Sequence, residues 1–405
     1  MRRLSIPRRL SALATIAAVA SVGAAAVALR ARPPVDWRAA MAVLAPRAAA
    51  GRLVQPLSDG GQVELTLDAE LQRAAEQLLA DADPIQGSAV LLSVEDGRVL
   101  ALAGRTRAAP GRNQVELALT AWAPAASVFK LVTTAALLDA GLKPETRVCY
   151  HAGVHSVEAD NLEDHPALDG RCKSLGYAVA KSQNAIIARL AHDYLDPASL
   201  TRAAEALGFG TAPPFDLPTQ ASQLSAPSDP LGFARVAAGF WSSSLSPLHG
   251  ALLAAAIARG GEMPVVHLVE RVVDGNGRIL AAPAPGPPHR VLAASTASAL
   301  GRMMVGTTEW GSANRAFRDP ASHRRRLGGI RVAGKTGTLT GTDPALAYSW
   351  FVGFAPADRP RVAFAVLLGR QDESDIRAAE VGRALLARWL TADGAPSTSA
   401  PLAAR

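Results

Sequence analysis

The order of the predicted secondary-structure elements constrains the fold of this 405-residue chain more than any other feature. Two strands come first, a long helical section follows, and three strands and a helix end the pattern. A parallel sheet would instead alternate strand and helix along the chain. The order therefore predicts an α+β fold: an antiparallel sheet flanked by helices, with strands from both ends of the domain and a helical subdomain inserted between them.

Turn and capping residues place the individual elements. Asp96-Gly97 is a hairpin signal between strands at 88–94 and 98–103. Asp68 is a good start for a helix over 69–80, and Gly141 ends an apolar helix at 127–140. The other predictions are a strand at Gln62–Leu67, helices at Leu175–Leu195, Pro197–Leu207, Leu248–Arg259 and about 291–305, a hairpin from Val265 that turns at Gly275–Gly277, strands at Gly329–Leu339, Ser349–Phe354 and Arg361–Leu368, and a last helix at Ile376–Leu390.

The N-terminal segment predicts export of the chain. Arginines at positions 2, 3, 8 and 9 precede an uncharged run of twenty residues, Leu10–Leu29. At ~1.5 Å per residue, such a run spans a hydrocarbon core of roughly 30 Å, and the arginines would stay in the cytoplasm. Residues 26–28, Ala-Val-Ala, also fit a signal-peptidase site, so a cleaved signal peptide is the alternative to an uncleaved anchor.

These features divide the chain into four parts. We predict a cytoplasmic N-terminus and membrane anchor at 1–33, a linker at 34–60, one folded domain at 61–391 and a disordered tail at 392–405. The expected location is the inner cell membrane, with a single membrane pass and the domain on the periplasmic side.

Two cysteines, Cys149 and Cys172, fit an oxidising compartment. A bridge between them would close a short loop and add ~3 kcal/mol of stability by chain-entropy reasoning. Two separate buried thiols are the alternative, and export favours the bridge.

The charged residues indicate neither a metal site nor a nucleic-acid site. His151, His155 and His165 lie near two aspartates in sequence, but they form no tight ligand motif, so we expect polar surface residues. The net charge of +7 suits the anionic surroundings of a cell wall or a membrane. The basic run at 323–326 lacks the interleaved aromatic residues of a nucleic-acid site, so we expect no nucleic-acid partner.

Ser127 and Lys130 form the first candidate catalytic pair. Residues at i and i+3 share one face of a helix, and the positive end of the helix dipole lies beside both. That field, together with burial, disfavours an ammonium, so Lys130 could stay neutral and take the proton of Ser127. The spacing often arises by chance, and an exposed helix start with a surface lysine is the alternative.

The second motif is Ser182-Gln183-Asn184, inside the helical section. A hydroxyl and an amide two residues apart can relay a proton and hold a peptide carbonyl. A polar helix cap or loop is the alternative interpretation of these three residues.

The third motif lies on a predicted strand. Lys335, Thr336 and Thr338 can bind a substrate carboxylate by charge-assisted hydrogen bonds. Gly337 leaves room for substrate backbone at the strand edge. The backbone amide of Thr338 can point at an oxyanion.

The motifs S-x-x-K, S-x-N and K-T-G-T, in this order, resemble the transpeptidase domain of penicillin-binding proteins. The likeness covers about residues 60 to 390. One departure is Ala125-Ala126, where the family often has Pro-Gly before the serine; it could alter the start of the helix but removes no catalytic group. Four further stretches are similar to that domain: Leu65–Gln72, Gly87–Leu102, Ser246–Leu248 and Trp350–Pro356.

The resemblance implies roles for single residues. By position, these are Ser127 as nucleophile, Lys130 as its base, Ser182 in proton transfer, Asn184 on the substrate amide, Lys335, Thr336 and Thr338 on the terminal carboxylate, and the amides of Ser127 and Thr338 as the oxyanion hole.

The resemblance also implies an activity. The expected enzyme is a D,D-transpeptidase that forms an acyl-enzyme from D-Ala-D-Ala stem peptides of peptidoglycan, cross-links them and binds penicillin covalently, with no metal or organic cofactor. The expected partners are these stem peptides and β-lactams, the membrane through the N-terminal segment, and a glycosyltransferase or other cell-wall proteins.

Several other functions compete with this one. Residues 329–336 satisfy the phosphate-loop pattern G-x-x-x-x-G-K-[ST]. A phosphate loop needs a strand before it and a helix after it, whereas this segment is itself predicted as a strand and no helix is predicted after it. No G-x-S-x-G occurs and the eight histidines are scattered, which disfavours a Ser-His-Asp hydrolase. Within the same fold, a D,D-carboxypeptidase and a serine β-lactamase remain open. A non-catalytic scaffold or β-lactam sensor is the alternative from another class.

Overall fold

The computed structural model describes residues 36–49, 52–341, 345–371 and 377–392. Its helices are α1 Trp37–Met41, α2 Ala69–Ala82, α3 Glu116–Leu119, α4 Lys130–Asp139, α5 Leu175–Lys181, α6 Asn184–Tyr194, α7 Pro197–Ala206, α8 Pro230–Ala237, α9 Pro247–Ala258, α10 Ala294–Glu309, α11 Asn314–Phe317 and α12 Ala378–Ala392, with 3₁₀ turns at Ala126–Phe129 and Ala159–Leu162. Its strands are β1 Arg47–Ala49, β2 Arg52–Pro56, β3 Gln62–Leu65, β4 Gln86–Ser93, β5 Val99–Thr106, β6 Ala123–Pro124, β7 Arg147–Tyr150, β8 Arg171–Ser174, β9 Gln223–Leu224, β10 Ser243–Leu245, β11 Glu262–Met263, β12 Val269–Val273, β13 Ile279–Ala281, β14 His289–Arg290, β15 Ala333–Thr340, β16 Ala347–Ala355 and β17 Val362–Arg370.

The central sheet has the strand order β15-β16-β17-β4-β5, and every neighbouring pair is antiparallel. Two of its strands come from before the helical section and three from after it. The middle strand, β17, is buried over Val362–Gly369, because helices cover both faces of the sheet. Its sequence is therefore a continuous apolar run rather than an alternating one. The predicted α+β fold with an inserted helical subdomain is confirmed.

Helices pack on both faces of this sheet. On one face, Leu79 of α2 and Leu385 of α12 share a core cluster with Phe364 of β17. On the other face lies α9, whose Gly250 approaches Val352 of β16 so closely that an added Cβ would be 3.3 Å from its Cγ2. The helix that Asp68 was predicted to start is α2, and the Asp68 carboxylate accepts from two amides of its first turn, which contributes about 1 kcal/mol.

A second antiparallel sheet, β1-β2-β3-β12-β13, lies partly in the predicted linker. Strands β1 and β2 fall within residues 34–60, so regular structure starts before the predicted boundary at residue 61. The predicted anchor at 1–33 lies outside the described residues, as does the predicted tail apart from its first residue. None of the helices in the described ranges is long and apolar enough to cross a membrane.

One predicted helix is wrong as a single element. The segment 175–195 is two helices, α5 and α6, separated at Ser182 and Gln183. Ser182 takes the left-handed conformation, with φ at 56°, and thereby ends α5. This break places the second sequence motif at a junction between two helices rather than along a helix face.

Cys149 and Cys172 form a disulfide bond, which confirms the predicted bridge. They lie opposite each other on β7 and β8, a small antiparallel pair. The bond closes the segment 149–172, which we call the disulfide loop. The loop packs against α6, the helix that begins at Asn184.

Candidate active site

Ser127 lies in the 3₁₀ turn that leads directly into α4. The side chains of Val128 and Phe129 are buried and fix this turn to the core, whereas Ser127 itself is partly exposed. Amide groups at the start of a helix have no intrahelical partner. They give the serine a positive local field, which favours negative charge on its oxygen.

The residue before the serine is strained. Ala126 has φ at 48°, in the left-handed region, which costs a non-glycine residue about 1–2 kcal/mol. The carbonyl oxygen of Ala126 packs closely against Gly239. A Cβ atom at residue 239 would lie only 2.4 Å from this oxygen. Ala126 stands where the family often has glycine, and it keeps a backbone conformation that a glycine would adopt without strain.

Lys130 is completely buried and holds the centre of the site. Its Nζ lies 2.6 Å from Ser127 Oγ, 2.7 Å from Asn184 Oδ1 and 2.6 Å from the carbonyl oxygen of Ala238. Burial, and then the charge of Lys335, lower the pKa of Lys130 well below its usual value. A neutral amine has two hydrogens for Asn184 and Ala238 and one lone pair for the Ser127 hydroxyl. The three contacts therefore suit a lysine that accepts a proton from the serine.

Two of the three polar side chains of the second motif contact different lysines. Asn184 begins α6, and its Oδ1 accepts from Lys130 while its Nδ2 donates to the Val154 carbonyl at 2.7 Å. Ser182 Oγ accepts from Lys335 Nζ at 2.8 Å. The break between α5 and α6 turns these side chains toward the two lysines.

Lys335 is as deeply buried as Lys130. Besides Ser182, its Nζ donates to the carbonyl oxygen of its neighbour Thr336, at 2.8 Å. Burial lowers its pKa to about 7. An anion bound here would restore the charged form, because an opposite charge favours the ammonium.

The rest of the third motif lines the site beside Ser127. Thr336 Oγ1 shares a hydrogen bond with Ser312 Oγ at 2.5 Å, and Thr338 is exposed. A Cβ on Gly337 would lie 3.3 Å from the Cβ of Ala126, so this strand passes directly against the serine turn. The structure thus brings all three predicted motifs into one site.

A positively charged cleft extends from the two threonines. It has a volume of about 550 Å³ and is lined by Thr336 and Thr338 together with three cationic residues, Lys181, Arg315 and Arg377, and one acidic residue, Glu380. This surplus of positive charge favours an anionic ligand near the strand edge.

Three groups of the site were missed by sequence reasoning. The carbonyl oxygens of Ala238 and Val154 bind Lys130 and Asn184, respectively. Backbone carbonyls exist at every residue, so no sequence signal could have identified them. Ser312, the partner of Thr336, lies far from any of the three motifs in sequence.

The geometry excludes one alternative and gives no support to another. Lys335 and Thr336 lie inside β15, which pairs with β16 along its whole length, so residues 329–336 are not a phosphate loop before a helix. His151 bridges Asp169 and Asp160 through its two ring nitrogens. Across the described ranges, no group of three or more His, Cys, Asp or Glu residues is arranged to hold a metal ion.

Comparisons with known proteins agree with these motifs. The family model described as the penicillin binding protein transpeptidase domain matches residues 87–387. The chain is similar to the Peptidoglycan D,D-transpeptidase PbpA of Mycolicibacterium smegmatis, with 28% identity over 371 residues, which cover 82% of this chain and 73% of the relative. The protein of the same name from Mycobacterium tuberculosis is 26% identical over 364 residues, covering 81% of this chain and 72% of the relative.

Solved structures of the M. tuberculosis protein are also similar to this one. The crystal structure of PBPA matches with a TM-score of 0.68 and 26% identity, covering 82% of each chain. Its imipenem acyl-enzyme complex matches with a TM-score of 0.69 and 25% identity, covering 82% of this chain and 80% of the other.

Proposed function

Because the chain belongs to the penicillin binding protein transpeptidase domain family, we propose that it is a peptidoglycan D,D-transpeptidase with Ser127 as its nucleophile. The observation that carries this proposal is the 2.6 Å contact between Ser127 Oγ and the buried Nζ of Lys130. The names of the two similar PbpA proteins and the imipenem acyl-enzyme of the M. tuberculosis protein support it.

In the first step, Ser127 Oγ bonds to the carbonyl carbon of the penultimate D-Ala while Lys130 Nζ takes the hydroxyl proton. The developing oxyanion is stabilised by the backbone amides of Ser127 and Thr338, since fixed donors act strongly on charge that forms in the transition state. The bond to the nitrogen of the terminal D-Ala then breaks. That nitrogen receives the proton that Lys130 Nζ took from the serine, with Ser182 Oγ assisting the transfer, so Lys130 is neutral again and Lys335 keeps its own proton. Ser182 is held beside the site because its Oγ accepts from Lys335 Nζ.

In the second step, an amine of a neighbouring stem peptide attacks the acyl-enzyme. The new amide bond is the cross-link. As it forms, the ester bond between the acyl carbon and Ser127 Oγ breaks, and the proton of the amine passes through Lys130 to Ser127 Oγ. Asn184 holds the amide of the donor peptide, while Lys335, Thr336 and Thr338 bind its terminal carboxylate. The positively charged cleft beside these residues supports this binding of a carboxylate.

The proposal includes a location. We place the domain in the periplasm, held at the inner membrane by the predicted anchor at 1–33. The Cys149–Cys172 disulfide supports an oxidising compartment outside the cytoplasm.

Transpeptidation and carboxypeptidation can be separated by the fate of the acyl group. The purified chain, in detergent, is mixed with a D-Ala-D-Ala pentapeptide donor and an amine acceptor peptide, and the products are resolved by mass spectrometry. We expect the cross-linked amide to form and to increase with acceptor concentration, at the expense of the hydrolysed tetrapeptide. Tetrapeptide alone at every acceptor concentration would identify a carboxypeptidase, and rapid hydrolysis of benzylpenicillin would identify a β-lactamase.

A further inference from the structure

The disulfide loop forms a hydrogen bond with the site at the side chain of Asn184. The carbonyl oxygen of Val154 accepts from Asn184 Nδ2 at 2.7 Å, and the carbonyl oxygen of Gly153 accepts from the Ala185 amide at 3.0 Å. These adjacent carbonyls hold the side chain of Asn184 and the first turn of α6 together.

The contact with Val154 determines which way the Asn184 amide faces. A carbonyl oxygen can only accept a hydrogen bond, so the amide must turn its Nδ2 toward Val154. Its Oδ1 then faces Lys130 Nζ, at 2.7 Å. Without the Val154 carbonyl, a rotated amide would present its NH₂ group to Lys130, and the lysine would lose an acceptor.

Gly153 permits this close approach. It has φ at 61°, in the left-handed region. A Cβ at this position would lie 2.5 Å from the Cβ of Ala185. Any side chain at residue 153 would therefore push the loop away from the start of α6.

Arg189 anchors the loop on the same helix that carries Asn184. Its side chain is 1% exposed, and all three of its guanidinium nitrogens donate hydrogen bonds to residues of the loop. Nη1 donates to the Cys149 carbonyl at 2.6 Å and to Asp169 Oδ2 at 2.9 Å, Nη2 to the Glu163 carbonyl at 2.6 Å, and Nε to the Asn161 carbonyl at 2.9 Å. Most of these acceptors are backbone groups, so Arg189 fixes the shape of the loop rather than one side chain.

We propose that the disulfide loop, anchored by Arg189, positions Asn184 so that its Oδ1 faces the catalytic lysine. The inference rests on the proposed function, because it concerns the rate at which Ser127 is acylated. Among the described residues, Val154, Gly153 and Arg189 form no hydrogen bond with Ser127 or Lys130, so in this proposal they act through Asn184.

The test compares two glycine-to-alanine substitutions in the same loop. Gly153→Ala meets Ala185, whereas Gly170→Ala has no atom closer than the Leu168 oxygen at 3.9 Å and no positive φ. We expect Gly153→Ala to lower the second-order acylation rate constant for benzylpenicillin by about tenfold or more, as for a misplaced catalytic group. Gly170→Ala should stay within about twofold of the wild type. Circular dichroism and thermal unfolding verify that both variants are folded.

The pH profile of acylation separates positioning from a general structural defect. Loss of an acceptor disfavours the ammonium form of Lys130, so the acid limb of the Gly153→Ala profile should move to lower pH while its plateau falls. A merely damaged fold would lower the plateau and leave the limb in place. That result would overturn the inference.

A double-mutant cycle gives a second readout. If the loop acts through Asn184, Gly153→Ala should slow the Asn184→Ala variant no further, because the two changes remove the same contact. Independent, multiplicative effects would contradict the inference. Failure of the wild type itself to be acylated would instead contradict the proposed function.

Discussion

Replacing Lys130 with methionine is expected to lower the acylation rate of Ser127 by benzylpenicillin about 10³-fold, within the range found when a general base is removed. Lys130 Nζ is the titratable group in contact with Ser127 Oγ, at 2.6 Å. Methionine keeps an unbranched side chain in a site that is completely buried, so the fold should survive.

The rate is measured as the second-order rate constant of acyl-enzyme formation, followed over time by intact-protein mass spectrometry. Lys143→Met is the matched control, because this lysine is exposed and its side chain lies outside the site. The control should acylate like the wild type. A Lys130→Met variant that is folded and acylates at a near-normal rate would remove Lys130 from the role of base.

Lys335→Met should have the second large effect, a loss of about 10²-fold or more in acylation by substrates and β-lactams that carry a carboxylate, since a buried charge-assisted partner of that anion disappears. Burial lowers the pKa of Lys335 in the wild type to about 7. The ammonium that attracts the carboxylate is thus present below pH 7 and lost above it.

The lowered pKa of Lys335 predicts a pH dependence of two measurable quantities, the binding of benzylpenicillin and the free energy of unfolding. Initial binding of benzylpenicillin to the wild type should weaken as the pH rises through about 7, and Lys335→Met should show no such change. Stability changes in the opposite direction. Between about pH 7 and the ordinary lysine pKa of 10.5, Lys335 is protonated in the unfolded chain but neutral in the folded protein. The free energy of unfolding should therefore rise with pH in this range. If the wild type and Lys335→Met have the same pH profile of benzylpenicillin binding and of unfolding free energy, Lys335 does not titrate between about pH 7 and 10.5.

The sequence motifs identified which residues would lie together in the candidate site. They did not predict the local backbone structure around those residues. Ser127, Lys130 and Lys335 are recognisable because their residue types and order are unusual together, and the fold brings them close. Their catalytic roles remain predictions. The conformation of Ser182 was not predictable, since tertiary contacts impose a left-handed residue within a segment of otherwise helical pattern.

The central sheet was predictable because its strands are apolar and bounded by clear turn signals. The hairpin at Asp96-Gly97 and the strands β15 to β17 all occur near their predicted positions. Strands β1 and β2 were missed because each is short and has little periodicity of its own; pairing with β3 gives them their structure. The carbonyls of Val154 and Ala238 depend entirely on how distant segments pack.

The most direct test of the proposed function is covalent labelling of the purified chain with a fluorescent penicillin, beside its Ser127→Ala variant. We predict a stable adduct on the wild type, mapped by mass spectrometry to the peptide that contains Ser127, and no adduct on the variant. An adduct on both proteins, or none on a wild type shown to be folded, would contradict Ser127 as the nucleophile of a penicillin-binding transpeptidase.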